Sequence, residues 1–204
     1  MGFYDDQILP RFINVMLGNA EFAKVRKEAC EGLHGDVIEI GFGSGLNLPF
    51  LPPEVTGLWT VDPSGTAMKL AAKRIAASPV KVQTAGLEGE HIEANDATFD
   101  AALSTMTLCT IPDVEGALVE LKRVLKPGAA FHFAEHGLSP DDKIARRQHR
   151  YNGLENRFAG GCNFIRDIEN LITKGGFEIE TRRNFYLKGP KCAGYMYVGR
   201  ARAA

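Results

Sequence analysis

The chain reads as an α/β protein, a doubly wound and mostly parallel sheet of seven strands in one domain. Three observations predict this. Short apolar runs alternate with amphipathic stretches from residue 35 onward, the first run ends in three alternating glycines, and the last two runs follow one another with no helix between them. Strand–helix alternation requires right-handed crossovers and hence parallel neighbours. The final pair, joined by a short connection, should instead lie antiparallel at one edge.

Each element has its own signal. Residues 5–31 carry apolar stripes at helical spacing, Ile8, Phe12, Val15 and Met16, then Phe22, Val25 and Cys30, with a break near Gly18-Asn19. Residues 37–40 and 58–61 are buried strands. Residues 64–77 form an alanine-rich helix that Ser64 is placed to cap. A third strand at 80–83 leads through a glycine-interrupted loop to a fourth at 99–103. Asp113 caps a helix with Val114, Leu118, Leu121 and Leu125 on one side, and Lys126-Pro127-Gly128 stops it. A fifth strand follows at 129–134. Residues 141–158 form a charged helix with Ile144, Tyr151, Leu154 and Phe158 inward, and 164–174 another. Gly175-Gly176 opens the last strands, near 177–184 and 195–198. The domain thus divides into a helical N-terminal lid (1–34), a ligand-binding core (35–136), a second helical lid (137–174) and edge strands (175–204).

Bulk properties narrow the function. At 204 residues with 45% hydrophobic and 24% charged side chains, the chain fits one globular domain. A net charge of −1 gives no general attraction to nucleic acid or an anionic membrane. The basic run Arg146-Arg147-Gln148-His149-Arg150 is diluted by Asp141, Asp142 and Glu155, so a solvated helix face is expected rather than a nucleic-acid patch. No apolar run approaches the roughly 18 residues of a membrane span, and the N-terminus lacks a signal-peptide pattern. Cys30, Cys109, Cys162 and Cys192 form no CxxC pair, which points to reduced thiols and a cytoplasmic protein. No His/Cys/Asp/Glu group has metal-ligand spacing, so no metal is predicted. Monomer and homodimer both stay open.

The chemistry starts at Glu39-Ile40-Gly41-Phe42-Gly43-Ser44-Gly45. A dinucleotide turn needs G-x-G-x-x-G, and here Leu46 stands where the third glycine belongs. A P-loop needs a Lys-Ser or Lys-Thr closure that is missing. Glu39 would repel a pyrophosphate but suit a cationic or zwitterionic ligand. Asp62 ends the second strand, where a carboxylate can accept from both hydroxyls of a ribose. Capping of nearby backbone amides is the alternative for either acid, and their joint placement at adjacent strand ends weighs against it.

These residues, with Asp62-Pro63 and Leu125-Lys126-Pro127-Gly128, resemble the motifs of class I S-adenosylmethionine-dependent methyltransferases, whose sheet is Rossmann-like. The segments Ser104-Thr105-Met106-Thr107-Leu108-Cys109-Thr110-Ile111-Pro112-Asp113, Glu135-His136 and Gly160-Gly161-Cys162-Asn163 resemble the ubiquinone-biosynthesis-like branch. Within it they look closest to the small methyltransferase-like group with alkyl thiol methyltransferases. The resemblance implies S-adenosyl-L-methionine as cofactor. It implies that Gly41, Gly43 and Gly45 admit its methionine part with Glu39 near the ammonium, that Asp62 holds the ribose, and that Pro63 packs by the adenine. Leu87 and Glu88 would edge the adenine, Ser104 and Met106 would border the sulfonium, and Tyr4 would close over the cofactor.

The implied reaction moves a methyl group to O, S or N of a small, apolar or aromatic acceptor, with Phe12, Met16, Tyr151 and Phe158 on the lids. Methyl transfer asks the protein mainly to hold nucleophile and methyl in line. A base is needed only for a protonated acceptor, and His136, after the fifth strand, is the candidate. Its alternative is a histidine that bonds a loop and positions Glu135. Cys109 and Cys162 are expected as buried, inert thiols. Two other functions stay open: a non-catalytic cofactor-binding module, and a nicotinamide-dependent oxidoreductase, against which the glycine spacing and the lack of a Tyr-x-x-x-Lys placement count.

Overall fold

Side-chain alternation along one strand sets the layering. β1 (Gly35–Ile40) sends Ile38 and Ile40 to one face of the sheet, and Val37 to the other. Glu39 shares the Val37 face. In the computed structural model, which describes residues 2–203, this strand lies near the middle of a seven-stranded sheet. Its neighbours are β2 (Val55–Val61), β3 (Lys81–Thr84), β4 (Phe99–Thr105), β5 (Leu125–His136), β6 (Phe177–Tyr186) and β7 (Tyr195–Ala203), in the order β3-β2-β1-β4-β5-β7-β6. The first five run parallel, and β7 is antiparallel to both β5 and β6. The predicted doubly wound sheet with an antiparallel end is therefore the observed one.

Helices cover both faces. α4 (Val114–Val124) and α6 (Ile168–Lys174) pack Leu118, Leu121, Ile168 and Ile172 on Ile38, Phe131 and Phe133. α2 (Ala20–Cys30) and α3 (Gly65–Ala77) pack Val25, Ala29 and Ala71 on Val37, Leu58 and Leu103. The caps behave as their residue types dictate: the Ser64 hydroxyl accepts from Ala67 N, and the Asp113 carboxylate from Gly116 N. A π-helical turn over Tyr4–Ile8 and α1 (Leu9–Met16) precede α2, with the break at Gly18-Asn19 where the Asn19 side chain caps α2.

Register brings the carboxyl ends of the central strands level, with Ile40 opposite both Val61 and Ser104, and Ser104 opposite Phe133. Between β1 and β4 the strand order reverses, and in open α/β sheets ligands bind at that crevice.

Some boundaries differ from expectation. Leu125 leaves the helix and pairs with Phe99, so α4 runs straight into β5. α6 starts at Ile168 rather than 164 because Asp167 caps it, accepting from Asn170 N. α5 (Asp142–Phe158) departs most. Ile144 is buried, but Tyr151, Leu154 and Phe158 are exposed rather than inward. Its inner contact is instead Gln148, one turn beyond Ile144, which bonds the backbone of Gly137, Ser139, Phe164 and Cys192. Among the described residues no helix is long and apolar enough to cross a membrane.

Candidate active site

The glycine loop is built by close approach. Gly41 has φ +73°, and a Cβ there would meet Thr107 Oγ1 at 1.9 Å. Only glycine fits between the ends of β1 and β4. Gly43, at φ +57°, meets nothing nearer than 4.0 Å, so its Cα faces open space. Gly45 is also left-handed. The loop is tied down from the next strand: Gly43 N–H donates to Asp62 Oδ2 at 2.7 Å, and Ser64 N–H to Asp62 Oδ1 at 2.8 Å. Burial raises the Asp62 carboxyl, and these two backbone bonds oppose the shift. Each oxygen keeps a free lone pair, so amide capping and ribose binding are compatible at Asp62.

Glu39 lies beneath the loop. Because it points to the α2 face, it meets a buried polar network that the sequence does not announce. Asn47 Nδ2 donates to Glu39 Oε1 at 2.7 Å and to Thr105 Oγ1 at 2.9 Å, and Arg26 Nη1 donates to Asn47 Oδ1 and Thr105 Oγ1. Glu39 Oε2 and Arg26 Nε are buried without a partner. Burial pushes Glu39 up to about 8, against the Asn47 bond and the Arg26 charge. A buried carboxylate oxygen with nothing to accept from is costly unless a ligand supplies the donor.

The loop after β4 forms the other wall. Met106 has φ +56°, a left-handed conformation that costs a non-glycine residue roughly 1–3 kcal/mol and marks functional turns. Ser104 is fully buried, and its hydroxyl donates to Glu135 Oε1 at 2.7 Å. Ser104 therefore supports this wall through its side chain, while Met106 is half-buried beside it. Glu135 also accepts from Thr107 N and Leu108 N. Burial raises Glu135 to about 7 despite those donors.

Next to Glu135, His136 is buried at the end of β5, with Nδ1 3.3 Å from the Ala193 carbonyl and Nε2 3.0 Å from Cys162 Sγ. Burial opposes its charge, but Cys162, the Ala193 carbonyl and Glu135 together raise it. Cys162 is the more acidic of two neighbouring thiols: the Cys109 thiol beside it lowers it against burial, and His136 lowers it further, while Cys109 is raised. Both cysteines are buried as expected. Cys162 also has a polar partner in His136.

The remaining predicted residues surround this centre. Leu87 and Glu88 are exposed in the loop after β3, whose Gly89 abuts Ile40 and Ile111. Pro63 is exposed beside Asp62. Tyr4 bonds the Phe158 carbonyl at 2.7 Å, joining the N-terminal turn to the end of α5. Asn14 accepts from Ser44 Oγ, and Gln7 donates to Thr66 Oγ1, so α1 and the turn before it lie over the glycine loop and the start of α3. Phe12, Met16, Tyr151 and Phe158 expose much of their apolar surface. A groove between 48–55 and 73–80 lies at the other end of β2, walled mainly by Leu48, Pro49, Leu51, Pro52 and Val80.

These features fit one ligand type. The space at Gly43, the unpartnered Glu39 Oε2 and the Asp62 lone pairs suit a molecule with an ammonium group and a ribose. Residues 38–133 match the family described as a methyltransferase domain. The chain thus carries a methyltransferase domain on a fold shared with S-adenosylmethionine-dependent methyltransferases, and S-adenosylmethionine is the cofactor that such a domain implies.

Among curated proteins, the chain is 34% identical over 104 residues to the thiol S-methyltransferase TMT1A of Homo sapiens, covering 49% of this chain and 42% of that one. It is 30% identical over 147 residues to the thiol S-methyltransferase TMT1B of Rattus norvegicus, covering 69% and 59%. The match thus spans about half the length of these relatives. Among solved structures, an S-adenosylmethionine-dependent methyltransferase from Thermotoga maritima superposes with a TM-score of 0.66 at 23% identity, over 98% of this chain and all of that one.

Proposed function

We propose that the protein transfers the methyl group of S-adenosylmethionine to a small, apolar thiol. The observation that carries the cofactor assignment is Glu39 Oε2, buried and unpartnered beneath the glycine loop. The names of the two mammalian relatives support sulfur as the acceptor atom. The exposed apolar side chains of Phe12, Met16, Tyr151 and Phe158 support an apolar acceptor held under the lids. A small soluble partner in the cytoplasm is the corresponding setting, with no nucleic acid and with monomer or homodimer both compatible.

When bound, the cofactor supplies a methyl carbon activated by a sulfonium leaving group. The chain's own residues do the rest. Glu39 would hold the ammonium and Asp62 the ribose, and Pro63, Leu87 and Glu88 would flank the adenine. The backbone of Gly41, Gly43 and Gly45 leaves room for the methionine part. Ser104 keeps the Met106 turn in place through Glu135, so that Met106 borders the sulfonium. Tyr4 and the turn that carries it fold over the site and exclude water. An acceptor thiol would have to give up its proton for the transfer, and His136, the buried imidazole at this end of the sheet, would take it.

The test is a methyl-transfer screen of the full chain over alkyl thiols, phenols, quinols and amines, with S-adenosylhomocysteine release as readout. Transfer to apolar thiols ahead of the other classes is expected. Tight cofactor binding with no transfer to any acceptor would favour a non-catalytic binding module instead.

A further inference from the structure

Three soft donors from three separate connections meet in the interior. Cys109 follows β4, His136 ends β5 and Cys162 follows α5; their Sγ, Nε2 and Sγ atoms all lie within 4.8 Å of one another, and all three residues are buried. We propose that Cys109, His136 and Cys162 form a three-ligand site for a soft divalent cation of the zinc class. No spacing along the sequence foretells it, because the ligands are far apart in the chain and only the sheet brings them together.

The geometry suits that ion. Zinc–sulfur bonds of about 2.3 Å and zinc–nitrogen bonds of about 2.0 Å set tetrahedral ligands roughly 3.5–3.8 Å apart. The 3.0 Å between His136 Nε2 and Cys162 Sγ needs to open by about half an ångström. The imidazole is oriented for the task. The Ala193 carbonyl can only accept, so Nδ1 carries the proton and Nε2 presents its lone pair to the sulfurs.

The cysteine loops are held as well. Asn163 N–H donates to the Cys109 carbonyl at 2.9 Å, and the Arg166 guanidinium donates to the carbonyls of Leu108 and Ile111. The Glu135 carboxylate fixes Thr107 N and Leu108 N just before Cys109.

Charge balances too. Binding forms two metal–thiolate bonds and releases to solvent the two protons that the thiols and Nε2 hold between them, so a dication with two thiolates is neutral as a unit and can be buried. Three protein ligands leave a fourth position for water or another small ligand. At His136 Nε2 a metal excludes the proton-accepting role assigned above. A metal-loaded chain should therefore methylate a protonated acceptor more slowly than the metal-free chain. The binding itself rests only on the three side chains and not on methyl transfer.

The reduced, chelator-stripped full chain is titrated with cobalt(II) and then zinc(II). One equivalent of cobalt should give thiolate charge-transfer absorbance in the near ultraviolet and the intense visible bands of a four-coordinate ion, and zinc should abolish both. Cys109→Ser and Cys162→Ser should each weaken binding at least tenfold, and Cys192→Ser should not. In the unmutated chain, zinc should raise the melting temperature and chelator should reverse the rise. A six-coordinate cobalt spectrum without charge transfer, or no zinc-dependent shift in melting temperature, would overturn the proposal, as would a Cys109→Ser/Cys162→Ser double variant that binds as tightly as the parent. Calorimetric titration of the same sample with S-adenosylhomocysteine reports separately on the cofactor site.

Discussion

Glu39→Gln is the perturbation that probes the cofactor site most deeply, because it separates the carboxylate's cost from its use. Glu39 is fully buried, Oε1 accepts from Asn47, and Oε2 has no partner among the described side chains and backbone. Burial pushes its pKa from 4.5 to about 8. The folded state therefore holds a proton that the unfolded chain gives up, and stability falls as pH rises through the window from 4.5 to 8. Integrated between pH 5 and 8, that single group removes about 3 kcal/mol. Glutamine keeps the acceptor for Asn47 but cannot ionise.

Urea unfolding of both proteins without cofactor, at several pH values from 5 to 8, should show the difference in stability moving toward the variant by about 3 kcal/mol. At pH 8 the variant should be the more stable one. If its ammonium meets Glu39 as proposed, S-adenosylhomocysteine should stabilise the parent strongly at pH 8 and the variant far less. A parent–variant difference that stays flat within about 0.5 kcal/mol across this pH range would refute the buried-carboxylate reasoning.

Other substitutions test neighbouring parts. Asp62→Ala should weaken S-adenosylmethionine binding at least tenfold, about 1.4 kcal/mol, by calorimetry; unchanged affinity would leave Asp62 only its bonds to Gly43 and Ser64. Gly41→Ala should cost about 2–3 kcal/mol in thermal unfolding, since the new methyl would lie 1.9 Å from Thr107 Oγ1 in a left-handed backbone. Glu135→Ala strands three buried donors, on Ser104, Thr107 and Leu108, and should lower stability by roughly 3 kcal/mol or more in urea. Tyr4→Phe removes the exposed bond to the Phe158 carbonyl and should leave stability within about 0.5 kcal/mol, with any effect confined to cofactor affinity.

The sheet was legible because its signals are local. Apolar runs such as Val37–Ile38 and the capping residues Ser64 and Asp113 act within a few positions, and the strand–helix rhythm then dictates the order of the parallel strands. The places of Gly41 and Asp62, each just past a strand end, were legible for the same reason. The network below them was not. Arg26 sits among the charged residues of α2, and Asn47 looks like an ordinary loop residue; only the packing of α2 against β4 brings them together with Glu39 and Thr105.

Gln148 was hidden in a basic helix by neighbours of the same polarity. The apolar spacing of Tyr151, Leu154 and Phe158 misled because periodicity records an apolar face without saying what covers it. Cys109, His136 and Cys162 show the limit most clearly: their separation in sequence gave no spacing to read, and the sheet supplied all of it.

The decisive measurement is a turnover assay of the full chain with methyl-deuterated S-adenosylmethionine and an apolar alkyl thiol, read by mass spectrometry. A labelled S-methyl thioether should appear in step with S-adenosylhomocysteine, and Glu39→Gln should suppress both. Label found only on amine or phenol acceptors would contradict sulfur as the acceptor atom. Absence of labelled product, together with calorimetric binding of NADH and no binding of either sulfur cofactor, would contradict methyl transfer itself.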